Sequence, residues 1–388
     1  MNKVRFFITK LVPVYIKILA VEFLSLFGYG KEFKETWIIS ERGTDARDNG
    51  YFFFKYMREN HPEIDCCYVI TPFSPDFSKV ALLGKTVVYG SLRHYAAVIR
   101  SKCLISSHIM GFTPFPEAFS VFQKNKIFKL PGKQIFLQHG ITKGDIKGLK
   151  FPNIQVDLFI CGAYAEYEYI KNTYNHPKGV VCFTGLARYD TLNNDGVKPQ
   201  ILLMPTWRKW LNSLSDKQFC ESEYYMRYHR LLSNPNIIEW LNDNGLKIMF
   251  YPHYEMQKYL HLFEDVRCDC IQICAFEDFD VQALLNTSAL LITDYSSVYF
   301  DFAYLNKPII YYQFDREDFF NNHYNKGYFD EEIFGPVAKD VSSLEKTLVS
   351  SYDGTVFKNL YADRQKEFFG DLNPNCCDRI YNAIQELL

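Results

Sequence analysis

Short apolar runs, each followed by a longer segment of helical period, recur along most of this chain and restrict what it can fold into. In the first half they are "TWIIS" (36–40), "CCYVI" (66–70), "KTVVYG" (85–90), "KCLISS" (102–107), "KQIFLQ" (133–138), "VDLFICG" (156–162) and "GVVCFTG" (179–185). Segments such as "DNGYFFFKYMREN" (48–60) and "SLRHYAAVIRS" (91–101) lie between them. Strands that are apolar on both faces and separated by helices belong to parallel sheets covered on both sides. The polar stretch "LNNDGVKPQ" (192–200) reads as a linker, and the pattern then restarts. "ILLMPTW" (201–207) opens the second series, with a helical zone to about 243. "KIMFYPH" (247–253), "IQICAF" (271–276), "ALLITD" (289–294) and "PIIYY" (308–312) complete it. The chain of 388 residues is therefore expected to form two α/β lobes, 31–191 and 200–370, with a terminal helix in 371–388.

Composition narrows the partners. With 43 Lys and Arg against 45 Asp and Glu, no whole-protein field draws in nucleic acid. The 11 cysteines are an odd, scattered set without a C-x-x-C pair. Cys268, Cys270 and Cys274 lack histidines at zinc-like offsets, so reduced thiols are expected and no metal site. Residues 1–30 are basic at the start and then strongly apolar. Lys17 and Glu22 interrupt them, short of the roughly 20 apolar residues that span a bilayer. Lys3, Lys10 and Lys17 recur every seven residues. That spacing reads as an amphipathic helix on an anionic membrane surface, or else as a helix packed on the first lobe.

Ligands of open parallel sheets bind where strands end and loops enter helices. The strand ends here carry His139-Gly140, then Pro205-Thr206-Trp207-Arg208, then Pro252-His253, then Asp294-Tyr295-Ser296-Ser297. His139 is placed to take a proton near neutral pH, against the alternative of a structural histidine. Arg208 is placed to clamp a pyrophosphate, or to form a salt bridge. His253 is placed to donate to the same phosphates, or to bond backbone. Ser296 and Ser297 at a helix start suit phosphate, the alternative being a simple cap. Asp301, one turn on, suits a polyol or ribose hydroxyl. "SERGTDARDNG" (40–50) sets Arg42, Asp45, Arg47, Asp48 and Asn49 after the first strand, as acceptor-binding residues or as a capped, salt-bridged helix start. There is no Walker loop, no G-x-G-x-x-G after the first strand, no H-E-x-x-H and no G-x-S-x-G, which removes support for P-loop hydrolysis, dinucleotide redox chemistry and serine hydrolysis.

With these residues in view, "TDYSSVYFDFAYLNKPIIYY", "MPTWR", "YPH", "TGLARYD" (184–190) and the HG strand end resemble the CDP-glycerol glycerophosphotransferase family. Its members are teichoic-acid primases and polymerases, with relatives in capsule synthesis. The resemblance spans about 36 to 370. It implies a GT-B fold, two Rossmann-like lobes whose parallel sheets face a central cleft, the first binding acceptor and the second CDP-donor. It also implies a CDP-polyol donor and peripheral attachment to the cytoplasmic face of the bacterial membrane; no acidic cluster in the sequence builds a metal cage, so no obligatory cofactor or metal is expected. By matching motif, His139 corresponds to the proposed base. Thr206, Arg208, His253, Asp294, Ser296, Ser297 and Asp301 fall in donor-pocket segments, and Arg188 and Asp190 lie at the lobe junction. Family members commonly read H-G-T-P-L-K where this chain reads "HGITKGD", a departure that bears on the polyol and the acceptor.

The expected reaction is attack of a hydroxyl of a lipid-linked or polymeric glycan on the β-phosphorus of a CDP-polyol, CDP-glycerol first among them, with release of CMP. A GT-B glycosyltransferase using a nucleotide sugar, and a non-catalytic membrane-associated scaffold, are the rival readings. The oligomeric state is not legible.

Overall fold

The computed structural model describes residues 7–125, 127–322, 334–371 and 373–388. They divide into two compact units. The first comprises residues 1–141, 147–190 and 372–388, and the second 142–146 and 191–371.

The first unit is built on β1 (Trp37–Ser40), β2 (Cys66–Ile70), β3 (Lys85–Val88), β4 (Cys103–Ser106), β5 (Lys133–Phe136), β6 (Leu158–Cys161) and β7 (Val181–Phe183). Their order is β3-β2-β1-β4-β5-β6-β7, and every pairing is parallel. The strand order reverses between β1 and β4, which makes their carboxyl ends the switch point where ligands bind in such sheets. Two apolar layers cover the sheet. One includes Ile38, Val69, Leu104 and Phe136; the other includes Ile39, Tyr68, Ile105 and Ile135. Each pair of sequence neighbours is thus shared between opposite faces, as the two-residue period of a strand requires. The terminal helix Cys376–Leu387 belongs to this unit. Asp190 accepts the backbone N–H groups of Cys376 (2.6 Å) and Cys377 (2.8 Å), satisfying amides that a helix start leaves unpaired.

The second unit repeats the plan with β8 (Lys198–Leu203), β9 (Lys247–Phe250), β10 (Ile271–Ile273), β11 (Ser288–Thr293), β12 (Ile309–Tyr312) and β13 (Val337–Ala338). The order is β10-β9-β8-β11-β12-β13, again all parallel, with the switch point between β8 and β11. The expected linker 192–200 needs correcting. Lys198, Pro199 and Gln200 are already strand, because Gln200 pairs with β9 through its backbone and reaches Thr287 and Ser288 through its side chain. The helical zone to 243 is three helices, Asp216–Cys220, Glu223–Leu232 and Pro235–Asp243. Ser215, Ser222 and Asn234 cap them in turn.

The N-terminal segment takes the second of its two expected forms, a helix packed on the first unit. Helix Val12–Ser25 buries Val14, Ile18 and Val21 and packs on helix Leu92–Arg100 of the first unit. Lys17 donates to the Gly90 carbonyl (3.3 Å) and lies 5.1 Å from the Tyr95 ring centre. Lys10 lies 5.6 Å from the Phe115 ring. Both lysines are therefore turned along aromatic rings of the unit instead of forming an outward basic stripe. Lys3 lies outside the described residues. The outward stripe is apolar: Ile16, Leu19 and Phe23, continued by Leu26 and Phe27, which are 78% and 77% exposed.

Candidate functional site

In the first unit, the loop after β1 is organised by one carboxylate. Glu41, 1% exposed, accepts the backbone N–H groups of Arg47 (3.0 Å), Asp48 (2.9 Å) and Tyr51 (2.9 Å). It thereby occupies the positive end of helix Asn49–Asn60. Burial and the nearby Asp48 both push its carboxyl upward, against those amides. Asp48 caps the helix through the Asn49 N–H (2.7 Å) and pairs with Arg188 (3.0 Å). Burial raises its carboxyl, and Arg188 pulls it back. Arg42 pairs with Asp45. Arg47 is turned onto Asp76 (2.9 Å), which Lys79 also meets at 3.2 Å. Arg42, Asp45, Arg47 and Asp48 of this cluster, and Arg188, which the sequence also offered to the acceptor, each therefore have an ionic partner within this unit, and Asp48 caps a helix start.

His139 stands at the end of β5. Its neighbour Gln138 has φ +59°, a left-handed conformation that costs a non-glycine residue about 1–2 kcal/mol. Buried bonds hold it there. The Gln138 amide donates to the Ile160 carbonyl (2.6 Å) and to Glu166 (3.1 Å), and its carbonyl accepts from the Asn49 side chain (2.8 Å). Arg188 donates to the His139 carbonyl at 2.9 Å. The His139 ring reaches solvent and lies against that of His108, centres 4.9 Å apart and planes 20° from parallel. The protein around it, then Arg188 and Arg42, lower its pKa to about 4. Burial, then His139 and Arg42, lower that of His108 to about 3. Both rings are accordingly neutral at pH 7, the state in which an imidazole accepts a proton. His108 follows β4 directly and was missed by sequence reasoning. The strand-end rule that singled out His139 applies equally to "LISSH".

In the second unit, the ends of β8, β11 and β12 are tied by a buried ionic group. Arg208, 0% exposed, forms a fork with Asp315 (2.6 and 3.0 Å) and pairs with Asp294 (2.9 Å). It also donates to the Thr206 carbonyl (2.8 Å). Burial works against the guanidinium charge, but Asp294 and Asp315 outweigh it and hold its pKa well above the ordinary value. Asp294 further accepts from the Thr206 N–H (2.8 Å), the Tyr295 N–H (2.5 Å) and the Tyr228 hydroxyl (3.3 Å). The expected direct contact of Arg208 with a pyrophosphate is thus corrected: its donors are committed to two carboxylates. Asp294 is likewise an organiser of strand ends. Asp315, which supplies half of this geometry, lies 107 residues from Arg208 and carried no sequence signal.

Several groups remain suited to a ligand. Thr206 is 7% exposed, and its hydroxyl has no partner among the described residues, an arrangement that costs stability unless something binds there. His253 starts helix Tyr254–Val266, its Nδ1 accepting the Glu255 N–H at 3.2 Å. With Nδ1 as acceptor, the ring's proton is on Nε2, a donor. Its ring stacks with Trp207, centres 6.0 Å apart. Ser297 is exposed and makes no side-chain cap, while Ser296 accepts the Val298 N–H at 3.4 Å. Asp301 is buried in helix Val298–Tyr304. Lys143 of the "HGITKGD" segment donates to the Tyr295 carbonyl at 2.8 Å. Among the described residues, no group of three or more His, Cys, Asp or Glu is placed to hold a metal.

Comparison with known proteins decides the family. Residues 23–386 match the model of CDP-glycerol:poly(glycerophosphate) glycerophosphotransferase. The chain belongs to that family. Its relatives include the minor teichoic acid biosynthesis protein GgaB of Bacillus subtilis (strain 168), 33% identical over 370 residues, covering 91% of this chain and 40% of that protein. They also include the teichoic acid poly(glycerol phosphate) polymerase of the same organism, 25% identical over 363 residues, covering 86% of this chain and 46% of that one. The chain thus spans less than half the length of either relative. A solved structure of the wall teichoic acid polymerase TagF superposes with a TM-score of 0.66 at 18% identity, covering 97% of this chain and 98% of that one. That likeness concerns the fold, and with the two parallel sheets it makes this family member a GT-B protein of two Rossmann-like units.

Proposed function

We propose that this chain transfers a polyol phosphate, glycerol phosphate in the first instance, from a CDP-polyol to a hydroxyl of a lipid-linked or polymeric glycan, in teichoic-acid or capsular polysaccharide synthesis. The observation that carries the reading is the family match over residues 23–386. The strand-end groups of the second unit suit such a donor. The Thr206 hydroxyl, His253 Nε2–H and Ser297 supply neutral donors for phosphate oxygens, and Arg208, Asp294 and Asp315 hold the loops that carry them. Asp301 suits a hydroxyl of the donor. In the first unit, neutral His139 takes the proton of the acceptor hydroxyl as its oxygen bonds to the β-phosphorus. The bond from that phosphorus to the bridging oxygen breaks, and CMP leaves with the electron pair. No protein-bound metal or cofactor enters this scheme.

Ligand-induced stabilisation with CDP-glycerol, CDP-ribitol and UDP-sugars tests it. Stabilisation by a CDP-polyol, with CMP and a phosphodiester as products, is expected. Stabilisation by UDP-sugars alone and a glycosidic product would replace this reading with a glycosyltransferase, and no donor binding at all would leave a scaffold.

The proposal extends to location. Among the described residues no helix is long and apolar enough to cross a membrane. The outward stripe of Ile16, Leu19, Phe23, Leu26 and Phe27 suits shallow insertion into a bilayer surface, where apolar side chains supply the binding energy. A CDP-linked donor places that surface on the cytoplasmic face. Flotation with phosphatidylglycerol vesicles is expected to carry the wild-type protein and not Phe23→Asp/Phe27→Asp. Equal flotation of both would remove the stripe from the account.

A further inference from the structure

We propose that Asn49 is a positioning residue for the transfer, its side chain closing a hydrogen-bonded ring that aims His139. This rests on His139 being the base. Asn49 is completely buried and uses both ends of its amide. Its Nδ2 donates to the Gln138 carbonyl (2.8 Å), and its Oδ1 accepts the Arg188 backbone N–H (3.0 Å). The Arg188 side chain returns to the carbonyl of His139 (2.9 Å). The circuit Gln138–Asn49–Arg188–His139 therefore closes on the two residues of a single turn.

The turn needs such a grip because Gln138 sits at φ +59°. Without outside bonds, a glutamine relaxes from the left-handed region toward extended or helical backbone, and that rotation swings the next side chain. An amide suits the position better than other side chains, since one end must donate and the other accept. Alanine satisfies neither, and aspartate loses the donor while adding charge beside Asp48. Asn49 makes no hydrogen bond to either imidazole, and its bonded path to the reaction runs through the backbone of Gln138, Arg188 and His139. A displacement of about 1 Å of a reacting group lowers a rate on the order of 100-fold.

The test is a double-mutant cycle on the full chain, reading CMP release from CDP-glycerol with a lipid-linked glycerol phosphate oligomer as acceptor. Stabilisation by CDP-glycerol is the control for donor binding. Asn49→Ala is expected to lower kcat by roughly 10- to 100-fold with donor stabilisation unchanged. In a His139→Ala background it should lower the residual rate by less than about twofold, because no base is left to aim. A wild-type kcat for Asn49→Ala, or an equal loss with and without His139, overturns the positioning role. A wild-type rate for His139→Ala overturns the base itself, a separate outcome. Where Asn49→Ala does not fold, Asn49→Asp is used with the same criteria, since it keeps an acceptor for the Arg188 N–H and loses the donor to the Gln138 carbonyl.

Discussion

The two units share a strand order and differ in how they hold their strand ends. In the first, the Asn49 and Gln138 amides, with Glu166 and the Arg188 guanidinium as partners, clamp one turn, and the imidazole they present reaches solvent. In the second, a guanidinium is held between two carboxylates inside the unit, and the Thr206 and Ser297 hydroxyls and the His253 imidazole stand at the strand ends beside it. The contrast teaches that a charged residue at a strand end is not by that fact a ligand group. Burial demands a partner for every charge, and Arg208 meets that demand with Asp294 and Asp315. His139 has no such demand to meet, because it is neutral.

The largest effect tests the ionic group. Arg208→Ala leaves two carboxylates buried without their cation and should destabilise by about 3–5 kcal/mol, read as a fall in the calorimetric Tm. An unchanged Tm with weakened CDP-glycerol binding would return Arg208 to the role of phosphate clamp and erase the contrast. Of similar size is the loss of the proposed base, where His139→Ala should lower kcat by about 100- to 10,000-fold with Tm preserved. Thr206→Val comes next. It removes a buried hydroxyl that has no partner among the described residues, so Tm should hold or rise while CDP-glycerol binding weakens about tenfold, the value of one hydrogen bond. A drop in Tm without loss of affinity would make the hydroxyl structural.

A separate effect is on pH. Burial lowers the pKa of His94, which is fully buried, to about 3. Between the ordinary histidine value and that pH, the unfolded chain binds the proton and the native state does not. Stability therefore rises with pH across the window and falls on acidification, by up to about 1.4 kcal/mol per pH unit for one such group. His108, whose pKa burial also lowers, acts in the same direction. Denaturant midpoints from pH 7 to 4 measure the slope, which His94→Gln should reduce.

The sheet pattern was legible because it is local. Two-sided apolar runs of four to six residues become strands whatever their partners, and only the ends moved, as at Lys198. Strand β13, with the two residues Val337 and Ala338, was too short to register. The site was legible in outline, since a strand end in a parallel sheet is a known kind of place. Its roles were less so. Asn49 stood in a polar cluster that suggested acceptor binding, yet it is buried beneath that surface and serves a turn 89 residues away. The basic heptad of the N-terminal segment suggested an outward face, and aromatic rings of the unit drew Lys10 and Lys17 inward.

The sequence by itself determined the class of fold, the two series of strands and the positions where chemistry gathers. Period, burial and turn residues act over a few positions and so can be read in order. Only the tertiary structure decided which charges are spent on one another and which groups remain for a ligand. Asp48 meets Arg188 across 140 residues, and Arg208 meets Asp315 across 107. Such pairings follow from strand order and the need to neutralise buried charge, and neither leaves a mark at the local scale.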